Sequence, residues 1–155
     1  MSSRNIDRFN EITGLIFGQL YEAFPIPINL RPRLIGIEER DGAVEGAEVA
    51  AAMGVEVQSE EVVLFKYSVT WLVQAEYLKC THQDIGSGYF ESARLTAKGL
   101  EVLNAVPPAL TKREPLGEQL VAASKSGGKE LVRSITTEAL GFGARLGMKA
   151  FGMDA

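Results

Sequence analysis

The two residue types that supply most metal ligands and reactive thiols are nearly missing from this chain. Its 155 residues include one cysteine, Cys80, and one histidine, His82. A single cysteine permits no internal disulfide and suits a reducing compartment. A zinc site takes about three or four protein ligands, more than this pair supplies. The sequence therefore predicts no metal site, and we expect no cofactor.

Sets of residues that could form a catalytic site are also scarce. A serine or cysteine nucleophile with a general base would need the same His82, because the chain has no other histidine. The segment from Ser124 to Glu130 only superficially resembles a phosphate-binding loop. Ala123 replaces its first glycine, and Glu130 replaces its Ser or Thr. We predict no catalytic residues and a protein that is not an enzyme.

Long hydrophobic runs are also missing. No stretch reaches the roughly 18 apolar residues that a membrane-spanning helix needs. The first ten residues are polar and contain no signal-peptide apolar region. A composition of 46% hydrophobic and 23% charged residues is ordinary for a globular protein. We expect a soluble, cytoplasmic protein without an integral membrane span.

Positive charge is in deficit, with 16 Lys and Arg against 20 Asp and Glu and a net charge of −4. Residues 1–110 carry nine basic and fifteen acidic residues, whereas 111–155 carry seven and five. A chain with this balance repels polyanions as a whole, so DNA binding would require its few cations to lie on one face. DNA stays a candidate partner, but the net negative charge of the chain weakens this hypothesis.

The N-terminal part predicts a helix and a short strand. Apolar residues recur every fourth position from Asp7 to Phe24, where Pro25 ends the helix. Gly14 and Gly18 cost about 0.5–1 kcal/mol each inside a helix, which close packing against another helix would justify. Ile26, Ile28 and Leu30 then alternate as in a strand. The alanine-rich segment from Ala43 to Met53 predicts a further helix.

The central stretch from Ser59 to Leu103 organises the chain. Ser59 is placed to cap a helix whose inward face carries Val62, Phe65, Val69, Leu72 and Val73, joined by Trp71. Its outward face carries Lys66, Tyr67, Thr70 and Gln74. A strand from Tyr77, a glycine-containing turn at Asp84–Gly88 and a strand at Tyr89–Leu95 follow. Thr96 then caps a closing helix.

The last third predicts two helices, from Leu116 to Ala123 and from Lys129 to Ala150. Small residues stand four apart on the second of them, at Ala139, Gly143 and Gly147. Such a ridge permits close helix packing, within the chain or across a dimer, and attachment of this helix to a membrane surface is a further alternative. We predict that the ridge forms an oligomer interface on a C-terminal helical extension at 109–155, separate from a domain at 1–108.

Two segments carry short motifs: Thr70–Leu78 contains a Glu76-Tyr77-Leu78 strand entry, and Ala93–Leu100 contains a Leu-Thr-x-Lys-Gly helix start. Both segments resemble bacterial winged helix-turn-helix domains. The resemblance implies an α+β winged-helix fold, mostly helical with a small hairpin called the wing. It also implies a DNA-binding or protein-docking function, often in a dimer.

Two functional hypotheses follow. In the first, a DNA-binding regulator places Lys66, Tyr67, Thr70 and Gln74 in a major groove and Lys79, His82 and Arg94 on phosphates. In the second, a non-enzymatic interaction module docks onto protein partners through an acidic winged helix and the small-residue helix. Cations clustered over the central helix and hairpin favour the first hypothesis, and an acidic or apolar face there favours the second.

Overall fold

A computed structural model describes residues 4–38, 59–105 and 114–150 and has a mixed α+β architecture. The predicted helix from Ala43 to Met53 lies outside the described residues. The helices are α1 (Asn5–Ala23), α2 (Glu60–Gln74), α3 (Ala97–Asn104), α4 (Leu116–Ser126) and α5 (Lys129–Ala150). The strands are β1 (Ile28–Leu30), β2 (Leu78–Lys79), β3 (His82–Asp84) and β4 (Tyr89–Leu95), and a 3₁₀ helix spans Pro32–Ile35.

Strand β4 organises the small antiparallel sheet, because β1, β2 and β3 all pair with it. Leu78 lies opposite Leu95, and both are buried. Phe90 and Ala93 of β4 are also fully buried although they are three residues apart, because the register shifts between them, where Ser92 has a φ of 52°. The predicted strand at Tyr89–Leu95 is therefore confirmed, and its apolar residues explain why it is central.

Helix α1 packs against both C-terminal helices through its glycines. A Cβ atom at Gly14 would collide with the Thr136 hydroxyl and with Val132 of α5, and one at Gly18 would press on Ser124 of α4. The predicted close approach of helices is thus confirmed. One buried hydrophobic cluster runs from α1 through the sheet to α4 and α5. The core is continuous across the predicted boundary at residue 108, which itself falls outside the described residues.

The Leu-Thr-x-Lys-Gly motif joins α2, the hairpin and α3. The Thr96 hydroxyl accepts a hydrogen bond from the Gly99 amide at 3.1 Å and donates one to the Glu76 carbonyl. The Lys98 ammonium donates to the Ala75 carbonyl at 2.9 Å, at the C-terminal end of α2, where a cation is favoured. Gly99 lets the Tyr77 carbonyl approach its α-carbon. Each of these motif residues thus has a structural role.

The sequence pattern placed Trp71 in the core, and that prediction is wrong. Its side chain is 46% exposed, whereas Tyr77, three residues beyond α2, is 3% exposed. The buried positions of α2 are Val62, Phe65, Ser68, Val69 and Leu72, and the predicted inward residue Val73 is only partly buried. Trp71 instead lies at the flank of this face, where its ring meets Phe9 of α1.

Candidate nucleic-acid or partner interface

The outward face of α2 carries the predicted helix residues. Tyr67 is 66% exposed, Gln74 is exposed and Thr70 is half-buried. The Thr70 hydroxyl donates to the Lys66 carbonyl at 2.8 Å, within the helix. The Lys66 ammonium donates to the Gly86 carbonyl at 3.2 Å, so this lysine links α2 to the hairpin turn. The helix face and the hairpin therefore form one continuous surface.

Asp84 closes the hairpin turn. The Ser87 amide donates to the Asp84 carboxylate at 3.4 Å, and the Gly88 amide donates to the Asp84 carbonyl at 2.9 Å. Two hydrogen bonds from Ser87 lower the pKa of Asp84. The bond from the side chain has the larger effect, and the bond from the amide has the smaller one. The Asp84 carboxylate therefore has a structural role, because the hydrogen bond that it accepts helps to form the turn.

Two cations face each other at the base of the hairpin. Lys79 of β2 and Arg94 of β4 are directly paired in register, and both are exposed. Neither forms an ion pair with any residue that the structure describes. Like charges directly opposite on two strands are destabilising. Farther along the hairpin, His82 is exposed opposite Glu91.

An aromatic cluster lies at the C-terminal half of α2. The Trp71 ring meets Phe9 edge to face, with centroids 5.4 Å apart, and stacks on Tyr77 at 6.2 Å. The Lys98 ammonium lies 4.4 Å from the centre of the Tyr77 ring. Burial raises the pKa of the Tyr77 hydroxyl. Trp71 is thereby held in a defined orientation while nearly half of it stays accessible.

The small-residue ridge of α5 is largely used inside the chain. Ala139 is fully buried, and Gly143 lies against the ring and hydroxyl of Tyr77. A Cβ atom at Gly147 would have no neighbour within 4 Å in the part of the chain that the structure describes. Ala139 and Gly143 therefore offer no surface to a second copy, and the close packing they allow is with this chain's own core.

A cavity of about 590 Å³ lies where α1 meets the junction of α4 and α5. Its charged groups bind one another. Arg8 pairs with Glu61 and, at 3.0 Å, with Glu60. Glu11 pairs with Arg133 at 3.2 Å and Lys129 at 3.7 Å. The rest of the lining is largely apolar, and the ion pairs join α1 to α2 and to α5.

Sequence reasoning missed Phe9, Trp71 and Lys98 as one cluster, because it placed Trp71 in the core. A usable signal was present, since Trp71 follows the exposed Tyr67 by one helical turn. The other predicted residues occupy two groups. Lys66, Tyr67, Thr70 and Gln74 share α2, whereas Lys79, His82 and Arg94 share the hairpin.

Within the described ranges, no helix is both long and apolar enough to cross a membrane. The same ranges bring together no group of three or more His, Cys, Asp or Glu side chains suited to a metal ion. Comparison of the chain with protein-family models, curated proteins and solved structures gives no significant match.

Proposed function

We propose that this chain is a winged-helix DNA-binding regulatory protein that holds the DNA backbone on its hairpin. The order of α2, an antiparallel hairpin and α3 is the order that the resemblance implies. Glu60 and Glu61 at the start of α2 would repel DNA, but Arg8 pairs with both and offsets their charge. The excess of negative charge is therefore reduced at the start of α2.

The observation that carries the proposal is the facing pair of Lys79 and Arg94. Two exposed cations in direct register destabilise the hairpin unless an anion lies between or above them. A DNA phosphate fits this requirement, because Arg and Lys are the main phosphate-binding side chains. Thr70, Gln74 and Tyr67 on the adjacent helix face then have the hydrogen-bonding groups that contact base edges.

The test is fluorescence anisotropy of a labelled random-sequence duplex at about 50 mM and 200 mM salt. We expect the double variant Lys79→Ala/Arg94→Ala to bind more weakly at low salt. Each lost phosphate contact should also reduce the slope of log affinity against log salt by about 0.9. Failure of the unmodified protein to bind the duplex at low salt would overturn the proposal.

A matched control is the double variant Lys125→Ala/Lys129→Ala. It removes the same charge from α4 and α5, where Lys125 pairs with Glu22 and Lys129 with Glu11. We expect this variant to bind the duplex nearly as well as the unmodified protein. Equal loss in both variants would mean that total charge, and not the hairpin pair, governs binding.

A second candidate function is docking onto a protein partner through α2. Tyr67 and Trp71 are exposed on neighbouring turns, and these two residue types dominate interface hot spots. Sedimentation velocity over a range of concentrations measures self-association directly. Under this hypothesis Tyr67→Ala should shift the chain towards monomer, whereas a chain that is monomeric at all concentrations excludes a homo-oligomer formed by this face.

A further inference from the structure

Trp71 is the single tryptophan of the chain, and its exposure has no explanation in the packing of the core. Its indole is fixed by Phe9 on its edge and by Tyr77 stacked beside it. An accessible ring with a fixed orientation is the kind of platform on which nucleic-acid bases stack. Every base has an aromatic face, so such a platform accepts different sequences.

A second ring extends this platform. Tyr67 is 66% exposed and precedes Trp71 by four residues on α2. Side chains four apart in a helix lie on neighbouring turns of the same face. The helix therefore presents two aromatic rings in succession, as a chain of unpaired bases would require. Gln74, exposed one turn after Thr70, adds a hydrogen-bonding group beside them.

The two cations of the hairpin lie a few residues beyond Trp71 along the chain and through strand pairing, and they suit a phosphate backbone. Tyr77 stacks on Trp71 and precedes Lys79 by two residues. The α-carbons of Tyr77 and Lys79 are therefore at most about 7 Å apart. Lys79 brings Arg94 beside it through their register. Glu76 is an exposed carboxylate in this region and opposes the attraction. The aromatic rings and the two cations together complement a ligand with exposed bases and negative phosphates.

We propose that Tyr67 and Trp71 stack unpaired bases of a single-stranded nucleic acid whose phosphates bind Lys79 and Arg94. This inference rests on the proposed DNA-binding function, because it uses the same two cations, and it names the substrate class as single strands. In a duplex the base faces are already stacked on one another, so the rings of Tyr67 and Trp71 find few exposed base faces to contact. Single strands should therefore bind more tightly than duplexes.

The experiment titrates the full chain with a labelled oligothymidylate of about 15 nucleotides in low salt. Oligonucleotide anisotropy reports binding, and emission from Trp71 reports stacking, since no other tryptophan contributes. We expect the anisotropy to rise and the emission to be quenched along the same binding curve. Binding without quenching would overturn the stacking inference and leave the proposed DNA-binding function standing.

Substitutions at Trp71 separate stacking from simple apolar contact. Trp71→Phe keeps an aromatic ring, whereas Trp71→Leu keeps apolar bulk without one, and circular dichroism checks that each variant is folded. We expect Trp71→Leu to weaken oligothymidylate binding by about fivefold or more and Trp71→Phe to lose less. Duplex affinity should be the same in both variants. Equal oligothymidylate affinity of the two variants would overturn the inference.

Three further outcomes are decisive. Binding of the random duplex without binding of oligothymidylate overturns the single-strand inference alone. Lack of binding to either nucleic acid overturns both proposals. A Trp71 emission that changes with protein concentration, and not with oligothymidylate, overturns the inference in favour of self-association through α2.

Discussion

The carbonyl oxygen of Tyr77 packs directly on the α-carbon of Gly99, leaving no room for a side-chain carbon between them. This contact fixes the start of α3 against the exit of α2. The Thr96 amide donates to the same carbonyl at 3.1 Å. Because the obstructing atom belongs to the backbone, it cannot move aside as a flexible side chain would.

We predict that Gly99→Ala lowers the free energy of unfolding by about 1–3 kcal/mol, because the added methyl group forces α3 away from Tyr77. Urea denaturation followed by circular dichroism measures the change. The matched control is Gly141→Ala in α5, where the nearest atom of the described residues is 4.0 Å from the new carbon. Alanine there should stabilise by about 0.5–1 kcal/mol. Equal stability of the two variants would contradict the assigned contact.

A second glycine pair tests where the ridge on α5 packs. Gly143→Ala should lower the free energy of unfolding by about 1–3 kcal/mol, because the buried Tyr77 ring occupies the space that the methyl group needs. Gly147→Ala should raise it by about 0.5–1 kcal/mol, since no atom of the described residues lies within 4 Å of the new carbon. If instead both variants leave stability unchanged and alter the mass in solution, the ridge faces a second copy.

Thr13 offers a test of a buried hydroxyl. It is fully buried on α1, and its Oγ1 atom finds no hydrogen-bond partner in the part of the chain that the structure describes. Thr13→Val should therefore raise the free energy of unfolding by about 1 kcal/mol. The control is Thr136→Val, where an equally buried hydroxyl donates to the Val132 carbonyl at 2.7 Å. That substitution should lower stability, and a loss at both positions would show that Thr13 has a partner.

The turn at Asp84 gives a pH dependence. Its pKa is lowered in the folded chain, so the stabilising bonds from Ser87 are present above the ordinary value of 3.8 and are lost as pH falls through the folded pKa. Ser87→Ala should move the pKa of Asp84 back towards 3.8, as measured by NMR titration of the carboxylate. The control Ser126→Ala removes an exposed hydroxyl elsewhere. An unchanged pKa in Ser87→Ala would remove the Ser87 side chain as a cause.

Much of the local structure could be predicted because its causes lie within a few residues. Ser59 and Thr96 cap α2 and α3 through hydrogen bonds to amides three positions ahead. The strand predicted at Tyr89–Leu95 and the helical pattern in Lys129–Ala150 have the bounds of β4 and α5. The candidate site was predictable to the same degree, since Tyr67 and Gln74 face outward as helical periodicity requires.

The sequence by itself determined which segments form helices and strands and which residues cap them, because those preferences are set by neighbouring side chains and backbone groups. The tertiary structure alone decided that Tyr77 is buried while Trp71 is exposed, and that the Tyr77 ring packs against Gly143. Both outcomes depend on where α1 and α5 lie against α2 and the hairpin. Packing between segments distant in the chain sets that arrangement, and no local pattern encodes it.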